Sequence, residues 1–461
     1  MRKSFFLVFL FMTLFVRTEA IRIVGSAPDY AGQRLEFFTV ADPVSKTPVP
    51  FFEVTIDGRG NFTIEKQITQ NTYCFADVGV YRGRMVLVPG KDVRITLPPL
   101  REKSFEESKN PYFNPVDIWL KVNEGNKKEL TNLIARYDAR FYQLTDTYFN
   151  QLYYRQMKNY LDTVRIRLER EFEKEEEPGY QTHRHLRMKS LEADLLRTGR
   201  EKVAGSLQQL TPQEWTQPAF SDFLNRLFVN TLSTESKSAA GTRMKMWVAR
   251  ESLAELSKWT QDFTATEGSL SDLILLKMLH DAFYSGEFSS SAILRMVQSP
   301  WFSQNKEPRI REMAASVQKK LAFLQTGTPA PEICLPSSTG TIWCSGRNTK
   351  PFLYLLFADL EIPVCREQVR YLKTMAEKTG SKVEFLIVLS PSQKVNNTEF
   401  MSSNQIPGIM VTDTPNRKTG KEYKVRSYPS AFLLDGQHRV VLAPARTPLD
   451  GFEFQYTDLK K

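Results

Sequence analysis

The stretch Pro351-Phe352-Leu353-Tyr354-Leu355-Leu356-Phe357-Ala358-Asp359-Leu360-Glu361-Ile362-Pro363-Val364-Cys365-Arg366-Glu367 decides how the rest of the chain is read. Its first half is an apolar run of strand length that breaks at Ala358-Asp359. Pro363 then opens a segment in which Val369, Leu372 and Met375 recur at helical spacing. The pattern predicts a strand, a short loop and an amphipathic helix with Cys365 in its first turn. A helix N-terminus lowers the pKa of a cysteine placed there, so this spacing points toward thiol chemistry.

The segment resembles the active-site segment of thioredoxin-fold proteins, closest to the TlpA/ResA-like envelope branch. The motif there reads roughly Phe-x-Asp/Ser-x-x-Cys-x-x-Cys-Arg/Lys-Glu. Aligned on Phe357, Asp359, Cys365, Arg366 and Glu367, the second cysteine is Cys365 and the first falls on Ile362. The resemblance implies a thioredoxin fold. The residues argue against a thioredoxin reaction, because disulfide exchange needs one thiolate to attack and a second to resolve the mixed disulfide. In such proteins the first cysteine is exposed and the second lies deeper, so Cys365 occupies only the resolving position.

The flanks carry the same resemblance. Gly327-Thr328-Pro329-Ala330-Pro331-Glu332-Ile333-Cys334-Leu335-Pro336 is similar to the opening Gly-x-x-Ala-Pro-x-Phe-x-Leu of TlpA-like domains. A hairpin turning at Ser338-Thr339-Gly340 would set Cys334 opposite Cys344, either as a disulfide or as two partly covered thiols. Neither lies at a helix start, which argues against catalysis by them. Val383 to Leu389 reads as a buried parallel strand, Gln393 to Ser403 as helical, and Ile406 to Val411 and Arg439 to Leu442 as strands. Tyr423 to Gly436 resembles the family's Tyr-x-Val-x-x-x-Pro-Thr-x-Phe-Leu-Ile-Asp segment, with Pro429 at the cis-proline position. Ile362, Pro363, Tyr428 and Pro429 are then the expected binding groove.

Outside this module, Met1 to Ala20 has a charged start, an apolar core and a small-x-small exit, the pattern of a secretory signal peptide. Residues 21–100 alternate in short runs divided by turns such as Asp57-Gly58-Arg59-Gly60-Asn61, predicting a small antiparallel β-sandwich with Cys74 as a buried strand thiol. Residues 115–325 carry apolar residues at three and four, as in Leu130, Ile134, Tyr137, Phe141, Leu144, Tyr148 and Leu152, and predict an all-α domain. Its aromatic residues (Tyr137, Tyr148, Phe149, Tyr153, Tyr154, Tyr160) read as core. His183 and His185 form the closest histidine pair, short of a closed metal site.

The expected whole is a multidomain α+β chain: signal peptide 1–20, β-sandwich 21–100, helical domain 115–325 and α/β thioredoxin-like domain 326–461. A net charge of +10 is spread among acidic residues without a nucleic-acid module, which excludes nucleic acid as the expected partner. No later segment is apolar enough to span a membrane, and no cofactor or metal is expected. The leading expectation is a periplasmic, redox-inactive thioredoxin-like protein whose groove holds an extended segment of an envelope protein or peptide. The alternatives are a thiol–disulfide oxidoreductase acting through Cys365, and a ligand-binding helical domain beside a structural thioredoxin-like one.

Overall fold

The computed structural model describes residues 19–459 except 111, 196–203, 240, 339, 393 and 416. Most of the expected signal peptide therefore lies outside the described residues. The chain folds as two compact units. The first takes the chain through Lys103 and again from Pro115 to Lys320; the second takes Ser104–Asn114 and Leu321 onward. The excursion 104–114, which the sequence left between two domains, thus belongs to the C-terminal unit.

The first unit begins with two sheets. In chain order the strands are β1 (Glu19–Ser26), β2 (Arg34–Val40), β3 (Pro48–Thr55), β4 (Asn61–Ile68), β5 (Thr72–Val78), β6 (Tyr81–Leu87), β7 (Val93–Thr96), β8 (Val116–Trp119) and β9 (Lys121–Val122). They order as β4-β1-β7-β9 and β3-β2-β5-β6-β8. Alternation drives the burial: Ile21 and Ile23 are fully covered while Arg22 faces out, because successive strand side chains point to opposite faces. Two pairs are parallel, β1 with β7 and β6 with β8, so the sandwich is not antiparallel throughout as expected. β8 and β9 also carry it past residue 100. They are too short to stand out as periodic runs.

The helices of this unit are shorter and more numerous than the periodicity suggests. They are α2 (Leu130–Thr147), α3 (Lys158–Glu171), α4 (Pro178–Leu195), α5 (Pro218–Phe228), α6 (Thr231–Glu235), α7 (Gly241–Ala249), α8 (Leu253–Thr264), α9 (Gly268–Phe283), α10 (Ser290–Gln298), α11 (Pro300–Ser303) and α12 (Pro308–Ala322), while α1 (Phe105–Lys109) lies in the excursion. Left-handed backbone separates α5 from α6 at Asn230 and α7 from α8 at Glu251. Pro178 opens α4, since proline suits a helix's first turn.

One break matters most. The helix expected to run through Leu152 ends at Thr147 and gives way to a π-helical turn, Asn150–Tyr154. Leu152 stays fully buried across the break, while two rings beside the stripe face out. Phe149 is 47 % exposed and Tyr154 78 %, against 1 % for Tyr137, so the expectation that all six aromatic residues are core is corrected for these two.

The second unit is built on β10 (Cys334–Pro336), β11 (Ile342–Cys344), β12 (Phe352–Ala358), α13 (Pro363–Thr379), β13 (Val383–Leu389), α14 (Asn397–Ser403), β14 (Ile409–Thr412), α15 (Lys418–Glu422), β15 (Ser430–Asp435), β16 (Val440–Ala445) and α16 (Phe452–Asp458). The main sheet orders β14-β13-β12-β15-β16, with β12, β13 and β14 mutually parallel and β15 and β16 antiparallel. This is the α/β thioredoxin-like architecture, and with the sandwich and helices it makes the chain multidomain α+β.

β12 is the middle strand, and its two faces feed two cores. Tyr354, Leu356 and Ala358 join the cluster under α13, while Leu353, Leu355 and Phe357 join the opposite one. Each such large apolar side chain contributes roughly 1.5–3 kcal/mol by leaving water. Register then fixes where β12 ends, because a slip of one residue would exchange these faces. At the start of β14, Gly408 has φ +99°, and a Cβ there would lie 2.5 Å from the Phe385 carbonyl oxygen. Only glycine fits that approach.

Candidate functional site

The parallel strand β12 delivers its C-terminal end, Ala358-Asp359, to the start of α13. The helix begins on Pro363, with Ile362 as the residue that caps it. Ile362 carries no side-chain oxygen, and isoleucine is among the poorest residues at this position. Its carbonyl accepts the Cys365 amide at 3.1 Å, which closes the first turn. Pro363 and Val364 are exposed, Ile362 is half-buried and Cys365 is buried completely.

The thiol is correspondingly unsuited to attack. Burial pushes the Cys365 pKa up to about 11, with the neighbouring Asp359 charge adding to the effect. The favourable contributions, a backbone hydrogen bond at Asp359 and the cations Lys109 and Arg366, do not overcome desolvation. A helix N-terminus alone therefore does not make a thiolate here. Cys365 belongs to the same buried cluster as Leu360, Val369 and Ala431.

Asp359 is fully buried, and its charge is met from an unexpected direction. The ammonium of Lys109, at the end of α1 in the excursion, lies 2.5 Å from Asp359 Oδ2 and 3.0 Å from Glu361 Oε2. Asp359 Oδ1 accepts the Glu361 amide at 3.0 Å. Glu361 also accepts a hydrogen bond from the Ser392 hydroxyl at 2.8 Å. Burial opposes ionisation of Glu361, but the Ser392 hydroxyl and Lys109 outweigh it and hold the carboxyl below its usual range. Arg366 donates to the carbonyls of Leu360 at 2.7 Å and Glu361 at 3.4 Å, so it braces the loop and is not the solvated side chain expected of it.

α1 is positioned by local chemistry. The Ser104 hydroxyl accepts the Glu107 amide and Glu107 accepts the Ser104 amide, a reciprocal cap. The Phe105 ring faces the Lys394 ammonium at 4.3 Å and that of Lys109 at 5.4 Å. Sequence reasoning missed Lys109. Ser104-Phe105-Glu106-Glu107 spells a helix start, but nothing local says that the lysine after it has partners 250 residues later.

The other two expected groove residues immediately precede β15. Phe357 pairs with Ser430, which sets Pro429 beside the end of β12, and the Tyr428-Pro429 peptide is cis. Tyr428 and Ile362 pack against the same cluster as Cys365. Burial raises the Tyr428 pKa, and the charges of Asp413 and Asp359 reinforce it against Arg417. Ile362, Tyr428 and Cys365 thus share one hydrophobic cluster, with Pro363 and Pro429 as the chain neighbours of the first two.

The other flagged residues lie elsewhere. Cys334 and Cys344 sit opposite each other in the β10–β11 pair and are joined as a disulfide. Glu332 is the third group near these sulfurs, all within 4.8 Å, but both sulfurs are engaged. His183 is buried against Asp138 at 2.7 Å, and His185, two residues along α4, is half-buried; desolvation lowers its pKa. Among the described residues no helix is long and apolar enough to cross a membrane.

Residues 325–444 match the protein family described as Redoxin. No curated protein matches the chain. Solved structures similar to it include a domain of a possible thiol-disulfide isomerase from Cytophaga hutchinsonii, 23 % identical over 30 % of this chain and 98 % of that one, TM-score 0.26. The thioredoxin domain of a thiol-disulfide oxidoreductase from Bacteroides vulgatus is 14 % identical over 29 % and 97 %, TM-score 0.27. A thioredoxin-family thiol:disulfide interchange protein from Chlorobium tepidum is 17 % identical over 29 % and 98 %, TM-score 0.25.

Proposed function

We propose that the C-terminal unit is a redox-silent, TlpA/ResA-like module of an exported, periplasmic protein, and that its residual groove binds an extended segment of an envelope protein or peptide. The observation that carries this reading is the state of the motif's one sulfur. Cys365 is fully buried with its pKa pushed up to about 11, while the half-buried position three residues earlier is Ile362. An isoleucine there exchanges a reactive contact for an apolar one. Backbone at Tyr428-Pro429 would supply hydrogen bonds to an added strand, with Ile362 and Pro363 packing against its side chains.

The buried charge of Asp359 supports the same reading. Its neutralisation by Lys109 removes it as an acceptor for a thiol proton, so the surroundings of Cys365 are arranged for packing. The deciding experiment compares the natural chain with Ile362→Cys in dithiothreitol-driven insulin reduction. Turnover by the variant with none above background by the natural chain is the expected result. Equal turnover by both, or a client trapped on Cys365 of the natural chain, would overturn the reading.

A further inference from the structure

The helical part of the first unit contains a cleft of about 470 Å³ walled by α2 with the π-helical turn, α4 and α5. Turns of this type interrupt helices at functional sites more often than elsewhere. Here it presents the Phe149 ring, 47 % exposed and 5.1 Å from that of Tyr153, beside Tyr142, 50 % exposed. Two exposed rings and the half-buried Tyr153 on one wall are a cost in water unless something covers them.

The polar groups on the opposite walls sort into two kinds. The charged ones are largely spent: Arg187 pairs with Asp222 at 3.4 Å and with buried Asp138 behind it, and Arg226 pairs with Asp194. The uncommitted ones are mostly neutral. Among the described residues the Ser190 hydroxyl, in a side chain 93 % covered, has no hydrogen-bond partner, and the Asn225 amide and the hydroxyls of Tyr142 and Tyr153 have none either. Asp146 adds an unpaired carboxylate, an acceptor for hydroxyl hydrogens.

We infer that this cleft is a binding site for a neutral oligosaccharide. A charged ligand would have to break the Arg–Asp pairs to gain from them. A polyol instead shares hydrogen bonds with fixed, already neutralised groups, and its C–H faces stack on the negative faces of Phe149 and Tyr153. The size suits a short oligomer, since ligand pockets run from about 300 to 1,000 Å³.

Isothermal titration of the full chain with maltotetraose, cellotetraose, mannotetraose and N-acetylchitotetraose tests this, with tetragalacturonate and tetralysine as charged counterparts. At least one neutral tetrasaccharide should bind, with affinity falling tenfold or more in both Phe149→Ala and Asn225→Ala. Both side chains are at the cleft wall outside the core, and circular dichroism checks each variant's fold. Absence of binding by every neutral oligomer would overturn the inference. So would binding that both variants retain, or tighter binding of tetralysine or tetragalacturonate.

Discussion

Lys109 and Asp359 lie 250 residues apart in the chain and 2.5 Å apart in space, the lysine 15 % and the aspartate 0 % exposed at their side chains. Breaking a buried pair by removing one partner strands the other charge, a cost of about 3–5 kcal/mol. Lys109→Ala should therefore lower the unfolding free energy of the C-terminal unit by that order. Lys109→Met combined with Asp359→Asn should recover most of the loss, because both charges go together. A urea-melt double-mutant cycle measures the coupling; additive losses would show that the contact is not an energetic pair.

Cys365 should resist thiol reagents. With a pKa raised to about 11, the thiolate fraction is small at neutral pH and grows only as pH climbs toward that value. Labelling with a chromogenic disulfide at pH 7.5 should be slow in the native chain and fast in denaturant, where burial no longer applies. Rapid native labelling located to Cys365 would contradict the buried geometry.

Ile362→Cys places a thiol at the position that caps α13, partly accessible and at the positive end of the helix. The helix dipole there favours the thiolate. The variant's new cysteine should titrate below the ordinary thiol range, pair with Cys365 on oxidation, and raise insulin reduction at least tenfold above the natural chain. Mass mapping of the oxidised peptide and the turnover assay read both effects.

Asp138 gives a pH signature to the first unit. Burial opposes its ionisation, but His183 and Arg187 hold its pKa down at about 2, against an ordinary 3.8. A depressed carboxyl contributes stability that is present above the unfolded value and lost as pH falls through the folded one. The contribution is on the order of 2 kcal/mol, lost between about pH 4 and pH 2. Urea unfolding across this window should show the fall. Asp138→Asn should be destabilised at pH 7 and show a flatter acid limb, since the titrating group is gone.

The thioredoxin-like sheet was legible in the sequence because its strands are buried on both faces and stand out as unbroken apolar runs; Phe352 to Ala358 and Val383 to Leu389 could hardly be anything else. Ile362 and Cys365 were legible because a helix start fixes their spacing. What was not legible depended on long-range pairing. Lys109 looks like any lysine in a polar linker, and β8 is four residues whose only distinction is a partner, β6. Phe149 and Tyr154 were assigned to the core for standing among the stripe residues, but the three-and-four spacing runs through Tyr148 and Leu152 and leaves these two beside it. α16 carries Phe452 and Tyr456 into the core against Tyr354 and Phe352, yet in sequence it is only seven residues near the end of the chain.

The excursion of residues 104–114 has a practical corollary. A recombinant fragment starting at Leu321 would contain the whole Redoxin-matching region and still be missing one of its own parts, the ammonium that neutralises Asp359. Such a piece would expose a carboxylate beside Cys365 that the intact molecule keeps occupied. Redox behaviour measured on it would describe a different chemical environment, so the shortest faithful specimen must carry the chain from before Ser104.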